Sequence, residues 1–161
     1  MKKFRYLAER YGPSTLALVL AALVYYFRVP LSDGAQEEKI DFSGLYSSVF
    51  DWSSIQTGFL FGIYGYVAGK SDGFIAAVKN TPAMILFIGY TKVATYLGFF
   101  VTFFSIPLIV VDFSITPAAW WRYVIFIGWS FFSIWAFFAF LRVAYVFGHL
   151  IRPADQNRIT G

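Results

Sequence analysis

Apolar positions fall in four long stretches separated by short polar or charged ones, a pattern that predicts four membrane-crossing helices. The first stretch, 14–29, opens after Gly12-Pro13, and proline suits the first turn of a helix. The second, 53–69, contains IQTGFLFGIYGYVAG and is short for a span unless Tyr46–Trp52 contribute to it. The third covers 82–111, where Pro107 is expected to kink the helix near one end. The fourth covers 120–151 and is interrupted by Arg122, Arg142 and His149. Together these predict an all-α fold with a single four-helix transmembrane domain over residues 1–161.

Ahead of the second stretch, Phe42, Leu45, Tyr46, Val49, Phe50 and Trp52 fall mostly at helical i, i+3, i+4 and i+7 spacing, with serines and Asp51 between them. This predicts a short amphipathic helix at the membrane interface, with Trp52 at headgroup depth. The plainer reading is an N-terminal extension of the second span.

Charge assigns an orientation. Lys2, Lys3, Arg5 and Arg10 precede the first span, Lys70 and Lys79 sit between the second and third, and Arg152 and Arg158 follow the fourth. The loop after the first span is mainly acidic, with Asp33, Glu37, Glu38, Asp41 and Asp51. Basic residues near spans mark the cytoplasmic side, so both termini are expected in the cytoplasm. The basic, apolar N-terminal stretch is followed by bulky YYFRVP rather than a small-residue cleavage site, and is read as a retained anchor.

Composition strengthens this picture. Hydrophobic residues make up 58% of the 161 and charged residues 14%, against about 25% charged in a soluble domain. Mean hydropathy is +0.62. Such a chain cannot cover a water-facing surface, so the lipid bilayer is its first partner. The net charge of +4 reflects basic residues beside the spans, where topology and anionic lipid account for them better than nucleic acid does. There are no cysteines, which removes disulfides, thiolate metal sites and cysteine nucleophiles.

Candidate chemistry is sparse. The sole histidine, His149, sits near the end of the fourth span, and a lone histidine there reads as a polar cap rather than a ligand. No catalytic motif and no metal-ligand spacing occurs, so no enzymatic activity, metal or cofactor is expected.

Three features carry more. Gly58, Gly62, Gly65 and Gly69 form one stripe on a helix, which favours a close seam with another span or another subunit. Trp120 and Trp121 mark an interfacial anchor at the outer start of the fourth span. Lys92 and Arg142 stand at similar height above the cytoplasmic ends of the third and fourth spans. They serve either as an anion, lipid-phosphate or partner contact or as markers of the membrane edge. The edge account is favoured, because Ala94–Val111 and Tyr123–Leu141 are charge-free runs of about 18 and 19 residues. It requires the apolar stretches PAMILFIGYT and VAYVFGHLI to pack on each other or on a cytoplasmic partner.

The segment SIQTGFLFGIYGYVAGKSDGFI, followed by two long aromatic spans and a brief tail, resembles the small four-span membrane subunits of bacterial anti-phage defence systems, such as that of the Kiwa system. The resemblance implies a sensor or effector in the bacterial inner membrane, paired with a cytoplasmic protein, and transfers no functional residues. The expected function is therefore a non-enzymatic, homo-oligomeric membrane sensor, anchor or effector. The alternative is an anion-preferring channel or transporter lined by Lys92, Arg142, Thr91, Thr95 and Thr102.

Overall fold

The computed structural model describes residues 2–37, 39–69, 78, 80–116 and 119–156, with side chains from Tyr11 to His149 within those ranges. Among the described residues it has five long helical elements: α1 (Lys2–Tyr26), α2 (Arg28–Gln36), α3 (Phe42–Gly69), α4 (Pro82–Val110) and α5 (Trp120–Gln156). No strand occurs among the described residues. Residues 70–77, Lys79 and the tail beyond Gln156 lie outside the described residues, as do the side chains of Lys2, Lys3, Arg5, Arg10 and Arg152.

The two most apolar helices follow the sequence closely. α4 starts where Thr81 caps it, its hydroxyl accepting from Met84 N at 3.4 Å, with Pro82 in the first turn. It ends in a Schellman turn: Asp112 takes φ 46°, its N–H reaches Ile109 O at 3.1 Å, and Phe113 N reaches Leu108 O at 2.9 Å. Leu108 and Phe113 then share one hydrophobic cluster, the contact that usually closes this motif. α4 and the Trp120–His149 part of α5 are each long and apolar enough to cross a membrane. Only about a third of each is buried inside the fold, so most of their apolar surface faces outward.

The first half of the chain differs from expectation. α1 does not open at Gly12-Pro13; it runs through Pro13 and ends at Tyr26. There the chain bends by 59° into α2, a helix where a loop was expected. Taken as one broken span, this pair brings the candidate crossings to three.

The separate interfacial helix is also corrected. Residues 42–69 form one uninterrupted helix, because Phe42 and Tyr46 are held in the same core as α5 and no breaker intervenes. Its start is fixed by Asp41, whose carboxylate accepts from Gly44 N at 2.8 Å. At about 42 Å, α3 has the length of a span, but Ser53, Ser54, Gln56, Thr57 and its glycines lower its hydropathy.

α4 packs against both α3 and α5, and α1 lies along α5. Two clusters fill the interior. One joins Leu60, Ile63 and Val67 of α3 to Met84, Phe87 and Leu97 of α4 and Ala136 and Val143 of α5. The other, at the opposite end, gathers Phe42, Tyr46, Leu108, Phe113, Phe126 and Trp129. The apolar stretches flanking Lys92 and Arg142 pack on each other along one face: Met84, Phe87 and Tyr90 meet Val143, Val146 and Phe147, and the rings of Phe87 and Phe147 stack at 6.4 Å, while Ile85 and Tyr145 stay exposed.

Candidate functional site

The polar residues of α3 form its inner seam. Ser53, Gln56 and Thr57 lie at i, i+3 and i+4, so they share one face, and all three are buried. Ser53 Oγ and Thr102 Oγ1 of α4 are hydrogen-bonded at 2.8 Å. Gln56 Nε2 donates to Ala136 O of α5 at 3.3 Å, while its Oε1 is buried with no hydrogen-bond partner. Thr57 donates to Ser53 O at 2.7 Å and lies against Gly98, where a built Cβ would collide with Thr57 Oγ1. Farther along, Trp129 Nε1 donates to Ser105 Oγ at 2.9 Å and ties α5 to α4. Such interhelical bonds contribute about 0.6 kcal/mol each inside a membrane, and their geometry sets the register of the bundle.

This seam was not foreseen. Its signal is present as three polar residues on one face of an apolar segment, facing a glycine that only the folded structure identifies.

The predicted glycine stripe lies elsewhere. A Cβ built at Gly58, Gly62, Gly65 or Gly69 meets no atom within 4 Å, and all four residues are exposed. The close approach inside the fold is made at Gly98 instead. The stripe is therefore an outward face of α3, beside the exposed rings of Phe59, Phe61, Tyr64 and Tyr66.

Lys92 and Arg142 are not brought together at one site. The Arg142 guanidinium lies 3.6 Å over the Tyr90 ring, a cation–π contact between α5 and α4. Lys92, two residues after Tyr90, is turned about 200° around α4 and is exposed. It lines a cavity of about 330 Å³ with Phe61, Tyr64, Thr95, Tyr96 and Phe99. A second cavity of about 270 Å³ shares Phe61 and Phe99 and continues past Gly58 to Thr102 and Phe103. The two adjoin along the α3–α4 groove at Phe61 and Phe99, whose rings meet edge to face with centroids 5.4 Å apart. A further cavity of about 420 Å³ lies between α1, α3 and α5, lined mainly by Leu20, Val49, Trp52, Ile134, Phe137 and Phe138.

The tryptophans occupy different levels. Trp120 is 75% exposed and Trp121 47% exposed at the start of α5. Beside them the Arg122 guanidinium donates to Ser114 O at 3.0 Å and lies 5.4 Å from the Trp121 ring centre. Trp52 instead packs on Phe137 and Phe140, with ring centroids 5.3 and 6.4 Å apart. Phe137 is about 25 Å along α5 from Trp120.

His149 is exposed, and its Nδ1 donates to Tyr145 O at 2.9 Å, a contact within one turn of α5. Among the described residues, no group of three His, Cys, Asp or Glu side chains is placed to hold a metal ion. Comparison of the chain with protein-family models, curated proteins and solved structures finds no match.

Proposed function

We propose that the chain is a four-span, non-enzymatic protein of the bacterial inner membrane, with both termini in the cytoplasm. It assembles with copies of itself and acts as a sensor, anchor or effector for a cytoplasmic protein, in keeping with the resemblance to anti-phage membrane subunits. In this reading α1 and the first residues of the bent α2 make the first crossing, the rest of α2 lies outside, and α3 is the second. The polar side of α3 is sheltered against α4 and α5, so lipid meets mainly its aromatic and glycine faces.

The observation that carries the reading is the outward position of Gly58, Gly62, Gly65 and Gly69, with open space beyond each. A glycine face lets a second helix approach closely, and among the described residues no atom lies within 4 Å of a Cβ built on it. Native mass spectrometry in mild detergent tests this. The expected species is a multiple of 18.3 kDa, and Gly62→Leu should shift it to the monomer. A monomeric wild type would overturn the assembly reading.

A channel has less support. The hydroxyls of Thr91, Thr95 and Thr102 already donate to carbonyls four residues back, at 3.0, 2.8 and 2.9 Å, so they offer a lumen little. Steady anion currents from the purified protein in planar bilayers, lost with Lys92→Ala, would restore it.

A further inference from the structure

The α3–α4 groove combines two features that belong together in one kind of ligand. At one end stands the Lys92 ammonium, with Tyr64 and Tyr96 in the same cavity. α4 contains no carboxylate, and the ion pair found among the described residues is Lys39–Glu37, in another part of the fold. The other end is a trough floored by Ser54, Thr57, Gly58 and Thr102 and walled by Phe61, Phe99 and Phe103.

The hydroxyls along the groove are committed internally. Thr95 donates to Thr91 O, Ser54 to Phe50 O, Thr57 to Ser53 O and Thr102 to Gly98 O, all between 2.7 and 2.9 Å. With those hydrogens committed, the hydroxyls have no donor left for the trough. The groove thus suits hydrocarbon along its length and an anion at its Lys92 end, while a polar peptide or a water column would find few donors. From Lys92 to Phe103 is about 16 Å along the helix, close to the roughly 15 Å depth of one leaflet's hydrocarbon.

We propose that this groove is a binding site for one anionic phospholipid, its phosphate held by Lys92 and an acyl chain crossing over the Phe61–Phe99 ring pair into the trough beside Phe103. The proposal rests on the membrane reading above but not on self-assembly: Gly58 edges the trough, while Gly62, Gly65 and Gly69 stay clear of it for a second subunit. The larger cavity beside Trp52 lacks a charged group and offers no comparable headgroup contact.

The test titrates the full chain in detergent with dioleoyl phosphatidylglycerol or phosphatidylcholine and counts bound lipid by native mass spectrometry. The wild type should retain one phosphatidylglycerol per chain and bind phosphatidylcholine several-fold more weakly. Lys92→Gln should weaken phosphatidylglycerol about fivefold, the equivalent of about 1 kcal/mol for one cation at an anionic headgroup, whereas Lys92→Arg should preserve it. Ser54→Leu, which fills the trough, should weaken both lipids. Equal retention of the two lipids by wild type and Lys92→Gln would overturn the proposal, as would unchanged binding in Ser54→Leu. Displacement of the lipid by inorganic phosphate would assign a free-anion site and also overturn it. The same spectra report assembly, so lipid lost from an intact oligomer refutes this site alone. Release of the chain from membranes by an alkaline wash would instead refute the membrane reading.

Discussion

Replacing Gly98 by alanine is the sharpest test of the seam between α3 and α4. The added Cβ would collide with Thr57 Oγ1, while Thr57 Cβ lies 3.5 Å and Gln56 Nε2 3.6 Å away, both in ordinary contact. Overpacking of this kind costs about 1–3 kcal/mol. Alanine returns about 1 kcal/mol of helix propensity, so a net loss of about 1 kcal/mol is expected. Thr57→Ala removes the colliding atom and leaves the other two contacts tolerable. In that background Gly98→Ala should therefore stabilise by up to about 1 kcal/mol, a coupling of about 2 kcal/mol between the sites. Gly89→Ala, on the same helix with open space around its Cβ, is the control and should stabilise in both backgrounds. The assay is unfolding by sodium dodecyl sulfate titrated into mild detergent, followed by tryptophan fluorescence. If Gly98→Ala behaves like Gly89→Ala and shows no coupling to Thr57, the close approach described here is wrong.

Other outcomes follow from the same contacts. A double-mutant cycle of Ser53→Ala and Thr102→Ala should give a coupling near 0.6 kcal/mol in that unfolding assay. Gln56→Leu should be neutral or stabilising, because it removes a buried oxygen without a partner and leaves the Ala136 carbonyl its helical bond. Asp112→Gly should raise the melting temperature, by up to about 1 kcal/mol of stability, since Asp112 holds the left-handed position of the Schellman turn. Tyr90→Leu should cost about 0.5–2 kcal/mol by removing the ring beneath Arg142.

The fold was most legible where the chain is most uniformly apolar. The stretches 82–111 and 120–151 correspond to Pro82–Val110 and Trp120–Gln156, since length and hydropathy alone determine such helices. Expectation failed where a local signal met a longer-range one. Gly12-Pro13 reads as a helix start, but the helix continues through it. The serine-rich stretch after Phe42 reads as a separate element, yet Phe42 and Tyr46 are anchored in a core supplied by α4, α5 and the turn between them. The glycine stripe was visible as a spacing, but spacing does not say which neighbour a helix face meets. That depends on where α4 settles, and α4 settles on Ser53, Gln56 and Thr57 instead. The same holds for Lys92 and Arg142: similar height was readable, while their separation around α4 required the packing of α5 on Tyr90.

Membrane topology underlies the functional account, and the absence of native cysteine allows it to be measured directly. Single cysteines placed at Asp33, Ala76, Ser114 and Thr160 can be labelled with a membrane-impermeant maleimide in right-side-out vesicles. Four crossings with cytoplasmic termini predict labelling at 33 and 114 in sealed vesicles, and at 76 and 160 only after the membrane is opened. Labelling of 160 from outside, or of 33 and 76 from the same side, would contradict the account.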